Sequence, residues 1–228
     1  MEENIKMKLE QLFGNKRILG LAGNKNSGKT NNLFYLIQEF RKTNTTTPIY
    51  GYGFPVGSYE LLNKLRVQPL SDIEEMSEKE NCIIIVDEFQ KLKLNDRRYK
   101  DELAMFKNFV YHNNVYTILS SPDPREFNSV IGGIIEKWLL KNLKETDCIN
   151  GSQLKNAVIS YQGVYKVGHR IKLPPQTLLV NGRDADAINC TYVEGADTKK
   201  DNINIFASDV IVTKKSKKLS KNCQRLLQ

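Results

Sequence analysis

The sequence predicts an α/β fold: a parallel sheet flanked by helices, continued by a C-terminal antiparallel β extension. Three observations predict it. Short apolar runs alternate with helix-spaced segments from residue 17 to about 143. Residues 82–86 (CIIIV) form a fully apolar run of the kind buried on both faces in a parallel sheet. After about residue 155 the pattern shifts to short β-type runs separated by Gly, Pro-Pro and Asn-Gly.

Residues 17–22 (RILGLA) read as the first strand. Residues 29–41 read as an amphipathic helix, because Leu33, Leu36, Ile37 and Phe40 fall on one face. A second strand is expected at 49–54, stopped by Pro55 and Gly57, with a helix at 59–65. The acidic stretch 71–80 reads as a solvated helix. The strand at 82–86 follows, then a helix at 102–112 with Leu103, Phe106 and Val110 on its apolar side. Another buried strand is expected at 115–119, ended by Ser120-Ser121-Pro122-Asp123-Pro124. Residues 126–143 read as a helix whose Gly132-Gly133 pair permits close packing or a kink. Strands are then expected at 158–161, 164–167, 171–173, 177–180 and 188–193, with edge strands at 203–206 and 209–212. The chain thus divides into one domain, 1–210, with a core at about 15–150, a β-rich part at about 155–210 and a basic tail at 211–228.

At 228 residues, 40% hydrophobic and 26% charged, the chain has enough apolar material for one full core. Its longest apolar run falls far short of the roughly 20 residues of a membrane-spanning helix. The N-terminus mixes acids and bases without an apolar signal core, so a cytoplasmic protein is expected. Cys82, Cys148, Cys190 and Cys223 are scattered, and neither His112 nor His169 stands at zinc-ligand spacing from them; free thiols are expected. Net charge is +8, but six bases without an acid lie beyond Val210, so the body is nearly neutral. Within the body, KLKLNDRRYK at 91–100 concentrates Lys91, Lys93, Arg97 and Arg98 against one acid, Asp96, a composition that attracts phosphate backbones.

The chemistry lies at the first strand-to-helix junction. Gly23-Asn24-Lys25-Asn26-Ser27-Gly28-Lys29-Thr30 fits the G-x-x-x-x-G-K-[ST] phosphate loop without deviation. Its glycines let backbone amides wrap phosphates at a helix N-terminus. Lys29 is the cation for the terminal phosphates, and Thr30 offers a hydroxyl to Mg²⁺. Lys25 lies in the variable part of the loop and has no assigned role of its own. The strand at 82–86 ends in Asp87-Glu88, where ligands bind in open α/β sheets. Asp87 is the expected Mg²⁺ partner, and Glu88 the base that polarises water for attack on the γ-phosphate. ATP and Mg²⁺ are the expected cofactors. Ser120 and Ser121, at the end of the next strand, are candidates for sensing the γ-phosphate, with Ser121 taken as the catalytic one.

GNKNSGKT, IIIVDEFQ and YHNNVYTILSSPDPREFNSVIGG together resemble the FtsK/HerA-type ATPases, over roughly residues 17–140. That group includes DNA pumps, genome-packaging ATPases of membrane-containing viruses and Zot-like assembly ATPases. The resemblance implies a P-loop NTPase of the additional-strand, RecA-like type, with a strand between the two that carry the motifs. It implies a ring of five or six subunits in which an arginine completes the neighbour's site; Arg125, Arg97 and Arg98 are candidates, and Arg125 is taken as the catalytic one. The family's sensor glutamine would fall on Pro122, so a serine must take its place. The absence of a membrane segment makes the viral packaging type the best match. The expectation is a translocase of double-stranded DNA that docks on a capsid or portal-like partner, with Lys91, Lys93, Arg97 and Arg98 lining its DNA path. A helicase or helicase-loader ATPase and a nucleotide-dependent assembly switch are the alternatives.

Overall fold

Strands buried on both faces must be covered by helices on both, and this requirement sets the architecture. The computed structural model describes residues 12–92, 100–127, 129–141, 143–165, 176–181, 184–190, 193–194 and 196. Its strands are β1 (Ile18–Gly23), β2 (Ile49–Tyr52), β3 (Val67–Pro69), β4 (Ile83–Val86), β5 (Tyr116–Ser121), β6 (Lys137–Lys141), β7 (Gln176–Asn181) and β8 (Asp184–Asn189). Its helices are α1 (Lys29–Thr43), α2 (Tyr59–Lys64), α3 (Ile73–Ser77), α4 (Lys100–His112), α5 (Ser129–Gly132) and α6 (Gln153–Tyr165). One sheet holds all eight strands in the order β3-β2-β4-β5-β1-β6-β7-β8. From β3 to β6 every pairing is parallel. β7 pairs antiparallel with β6, and β8 with β7.

Alternation along the strands sorts the core into two layers. Leu19, Leu21, Ile83, Ile85, Ile118 and Leu139 face α1 and pack with Leu33, Phe34 and Ile37. Ile18, Ala22, Ile84, Val86, Leu119 and Leu140 face the other way, toward Phe106 and Val110 of α4 and Leu154 and Val158 of α6. β5 lies between β4 and β1, so the strand ending in Ser120-Ser121 separates the two that carry the motifs. This is the additional-strand order that the resemblance implies.

Several elements depart from the sequence reading. Instead of one helix over 126–143 there is a short 3₁₀ turn (Pro124–Glu126), the single turn α5, and then β6. Gly132-Gly133 ends α5, and the apolar residues that follow are buried because β6 pairs on both sides, with β1 and β7. Residues 158–161 and 164–165, read as strand, fall within α6, and 166–167 lie outside the described residues: Leu154, Ala157 and Val158 recur at helical spacing, and their burial outweighs the β preference of Val and Ile. β8 ends at Asn189, short of the expected 188–193 strand. The acidic helix shrinks to α3, capped by the Asp72 carboxylate accepting from Glu75 N at 2.7 Å and anchored by buried Met76. β3 adds an edge strand too short to be read from periodicity. The strands expected at 171–173, 203–206 and 209–212, and the tail 211–228, lie outside the described residues.

Candidate functional site

The phosphate loop bridges β1 and α1 at the C-terminal edge of the sheet. Gly23 ends β1 in a space that a side chain would overfill: a Cβ there would lie 2.6 Å from both Ser27 Oγ and the Lys141 carbonyl oxygen. The tip of the loop turns through Asn26 (φ 61°) and Gly28 (φ 84°), with Ser27 N donating to Asn24 O at 3.1 Å. Lys25 and Asn26 are exposed. Asn24 Nδ2 donates to Asp147 Oδ2 at 3.0 Å, and the same oxygen accepts from Lys144 N at 3.1 Å. The loop is thereby tied to the segment after β6.

Lys29 curls back over this loop. Its Nζ donates to the carbonyl oxygens of Gly23 at 2.8 Å and Asn24 at 2.9 Å. Burial lowers its pKa to about 8 from an ordinary 10.5; nearby Lys141 adds to the shift, while the carboxylates of Asp87 and Glu88 oppose it. Because the folded pKa lies below the unfolded one, the unfolded chain binds more protons between about pH 8 and 10.5, and nucleotide-free stability should rise through that window. An anion held by Lys29 favours the protonated form, so ATPγS affinity should fall as pH rises past about 8. Melting curves and binding titrations across pH 7–10 check both signs; affinity flat across that range would remove Lys29 from phosphate binding.

Across the sheet edge stands Asp87, 5% exposed. Thr30 Oγ1 donates to its Oδ2 at 3.0 Å. Burial raises its pKa, opposed by the hydroxyls of Ser120 and Thr30. Two hard oxygen donors, one hydroxyl and one carboxylate, face each other beside a loop of amides. Such a set is the kind that could hold Mg²⁺ jointly with phosphate oxygens, and Thr30 and Asp87 are the residues that would hold it. Among the described residues there is no cluster of three or more His, Cys, Asp or Glu that would make a cage without phosphate.

The strand turns sharply after Asp87. Glu88 adopts φ 62°, a left-handed backbone rare for a residue with a Cβ. The turn lets Asp87 stay on the α1 side while Phe89 plunges into the opposite core layer, its ring 4.7 Å from that of Phe127. Half-buried Glu88 is left at the edge, close enough to Lys29 to act on its charge. Gly53 (φ 77°), just past β2, holds this turn from the other side. A Cβ on Gly53 would meet the Asp87 carbonyl oxygen at 2.0 Å, and Asp87 N donates to Tyr52 O at 2.9 Å.

The two serines diverge. Ser120 faces Asp87 on the α1 side; its hydroxyl is buried without a well-formed hydrogen bond, as is that of Ser27. Ser121 lies on the opposite face, donates to Asp123 O at 3.0 Å and accepts from Asp123 N at 3.1 Å, closing the turn after β5. The structure therefore brings together the loop 23–30, Asp87, Glu88 and Ser120, and leaves Ser121 to the backbone. Arg125 is exposed and gripped by Asp123, with Nη2 2.9 Å from Oδ2 and Nε 3.0 Å from Oδ1. Lys93, Arg97 and Arg98 lie outside the described residues, as does the side chain of Lys91. Sequence reasoning did not single out Lys141, Asn32, Asp147 or Gly53.

The sequence matches no family model and no curated protein sequence. Solved structures do share the fold. The DNA-packaging ATPase B204 of Sulfolobus turreted icosahedral virus superposes with a TM-score of 0.54 at 12% identity, over 75% of this chain and 96% of that one. The genome-packaging NTPase B204 of Sulfolobus turreted icosahedral virus 2 in complex with sulfate gives 0.52 at 14% identity, over 75% and 94%. Its complex with ATPγS gives 0.51 at 14% identity, over 76% and 97%. Among the described residues no helix is long and apolar enough to cross a membrane.

Proposed function

We propose that this chain is an ATP-hydrolysing motor that translocates double-stranded DNA, of the viral genome-packaging kind. The observation that carries the ATPase reading is the Thr30–Asp87 contact of 3.0 Å beside Lys29, with Glu88 at the same edge. Shared fold with two packaging NTPases supports the motor reading, as does the basic composition of residues 91–100.

In this reading Lys29 exchanges two loop carbonyls for phosphate oxygens as ATP enters, while loop amides and the α1 N-terminus bind the rest. Thr30 and Asp87 would hold Mg²⁺, which neutralises charge on the β- and γ-phosphates. Glu88 accepts the proton of the attacking water, and buried Ser120 is the better placed of the two serines to detect the γ-phosphate. Arg125 of one subunit, released from Asp123, completes the site of the next in a ring of five or six. Lys91, Lys93, Arg97 and Arg98 grip DNA through its backbone, and a capsid or portal-like partner anchors the ring.

The test is the ATPase rate without nucleic acid and with single- or double-stranded DNA, together with particle mass with and without ATPγS. Stimulation chiefly by duplex DNA and assembly to five or six subunits are expected. Stimulation by single strands alone would favour a helicase-type ATPase, and none by either would favour an assembly switch. Changing Lys91, Lys93, Arg97 and Arg98 together to Glu should abolish DNA binding and its salt dependence.

A further inference from the structure

β6 runs beside β1 with Lys141 opposite Gly23, which puts the end of β6 directly behind the phosphate loop. Lys141 is 6% exposed. Its Nζ donates to Asn32 Oδ1 in the first turn of α1 at 2.9 Å. The same ammonium lies 3.2 Å from the point a Cβ would occupy on Gly28, the glycine just before Lys29. Part of the C-terminal segment seals this place: Val193 N donates to Asn31 Oδ1 at 2.8 Å, and Cys190, Val193 and Ala196 are buried in the α1 layer.

Electrostatically this location is hostile to a cation. The first turn of α1 presents unsatisfied amides and the positive end of the helix dipole. Lys29 is near enough to be perturbed by it, and burial depresses the pKa of Lys141 itself. Its hydrogen-bond partner is a neutral amide, among the described residues no carboxylate forms an ion pair with it, and the group that favours its charge is the buried Cys190 thiol. A buried cation without a counter-ion is strongly disfavoured unless an anion balances it. The adjoining structure built to receive one is the loop at 23–30.

We propose that Lys141 is a second cation of the phosphate site, acting from behind the loop across the Gly28 backbone, with bound nucleoside polyphosphate as its counter-ion. The proposal rests on the nucleotide-binding reading above. Lys141 would favour triphosphate over diphosphate, because the more highly charged ligand gains more from an added positive charge. It is a binding residue in this role and takes no part in proton transfer.

The test uses the full chain with Lys141→Met, Lys141→Gln and Lys141→Arg, titrated with ATPγS and with ADP in the presence of Mg²⁺, and melted without nucleotide. The neutral variants should melt at or above the temperature of the native chain, since they remove an unbalanced charge. Both should bind ATPγS on the order of 10- to 100-fold more weakly, the range for a charge-assisted contact, with a smaller loss for ADP. Lys141→Arg should bind more tightly than either. ATPγS affinity in the neutral variants equal to the native chain, or equal losses for ATPγS and ADP, would overturn the proposal. So would failure of both neutral variants to fold, which would make the ammonium a structural strut. Should the native chain itself bind no ATPγS, the nucleotide reading fails, and this inference with it.

Discussion

Glu88→Gln is expected to bind ATP as tightly as the native chain and to hydrolyse it about 10²- to 10⁴-fold more slowly, the usual contribution of a positioned general base. The substitution removes a proton acceptor and the negative charge that it places near Lys29. Gln has nearly the same shape, and Phe89, next to the left-handed backbone at position 88, is anchored in the core. Lys29, Thr30 and Asp87 keep their hydrogen bonds, so the residues proposed to hold the phosphates and Mg²⁺ are untouched. The variant should therefore accumulate with intact ATP bound, which nucleotide extraction and chromatography would detect. Native turnover in Glu88→Gln would remove Glu88 from the chemistry.

The second large effect is expected at a residue that touches no substrate. Gly53→Ala should cost about 2–4 kcal/mol of stability, combining a left-handed backbone with overpacking against main chain. The new methyl would sit 2.0 Å from the Asp87 carbonyl oxygen, and a main-chain carbonyl at the end of a paired strand cannot step aside as a side chain can. β4 must shift, carrying Asp87 away from Thr30. Denaturant melts and Mg²⁺-dependent ATPγS binding should both register the change. Native stability together with native Mg²⁺-dependent affinity would show that the β2–β4 junction yields freely.

How far the sequence foretold this arrangement depends on whether a feature is written locally. The phosphate loop is, since its glycines, lysine and threonine are fixed in one short stretch. The strand at 83–86 is too, because an unbroken Ile/Val run followed by Asp-Glu has few other readings. β6 was hidden: VIGGIIEKWLLK carries helix-like spacing, and only pairing with both β1 and β7 makes a strand of its second half. α6 was hidden the opposite way, its Val and Ile suggesting strands until Leu154, Ala157 and Val158 find a common buried face. Which of Ser120 and Ser121 faces Asp87 is a matter of strand parity. Lys141 left no local signal, because a lysine closing an apolar run ordinarily reaches solvent. Its position follows from sheet order, which joins residues 23 and 141.

The Val193–Asn31 bond has a consequence for how the molecule is made. The loop and first helix leave the ribosome early, yet the backing of that helix is translated 162 residues later. A nascent chain halted before that point holds every recognisable motif without the bond to Asn31 and without Val193 and Ala196 in the α1 layer. The cover over the first helix is thus among the last of the described contacts to form as the chain grows.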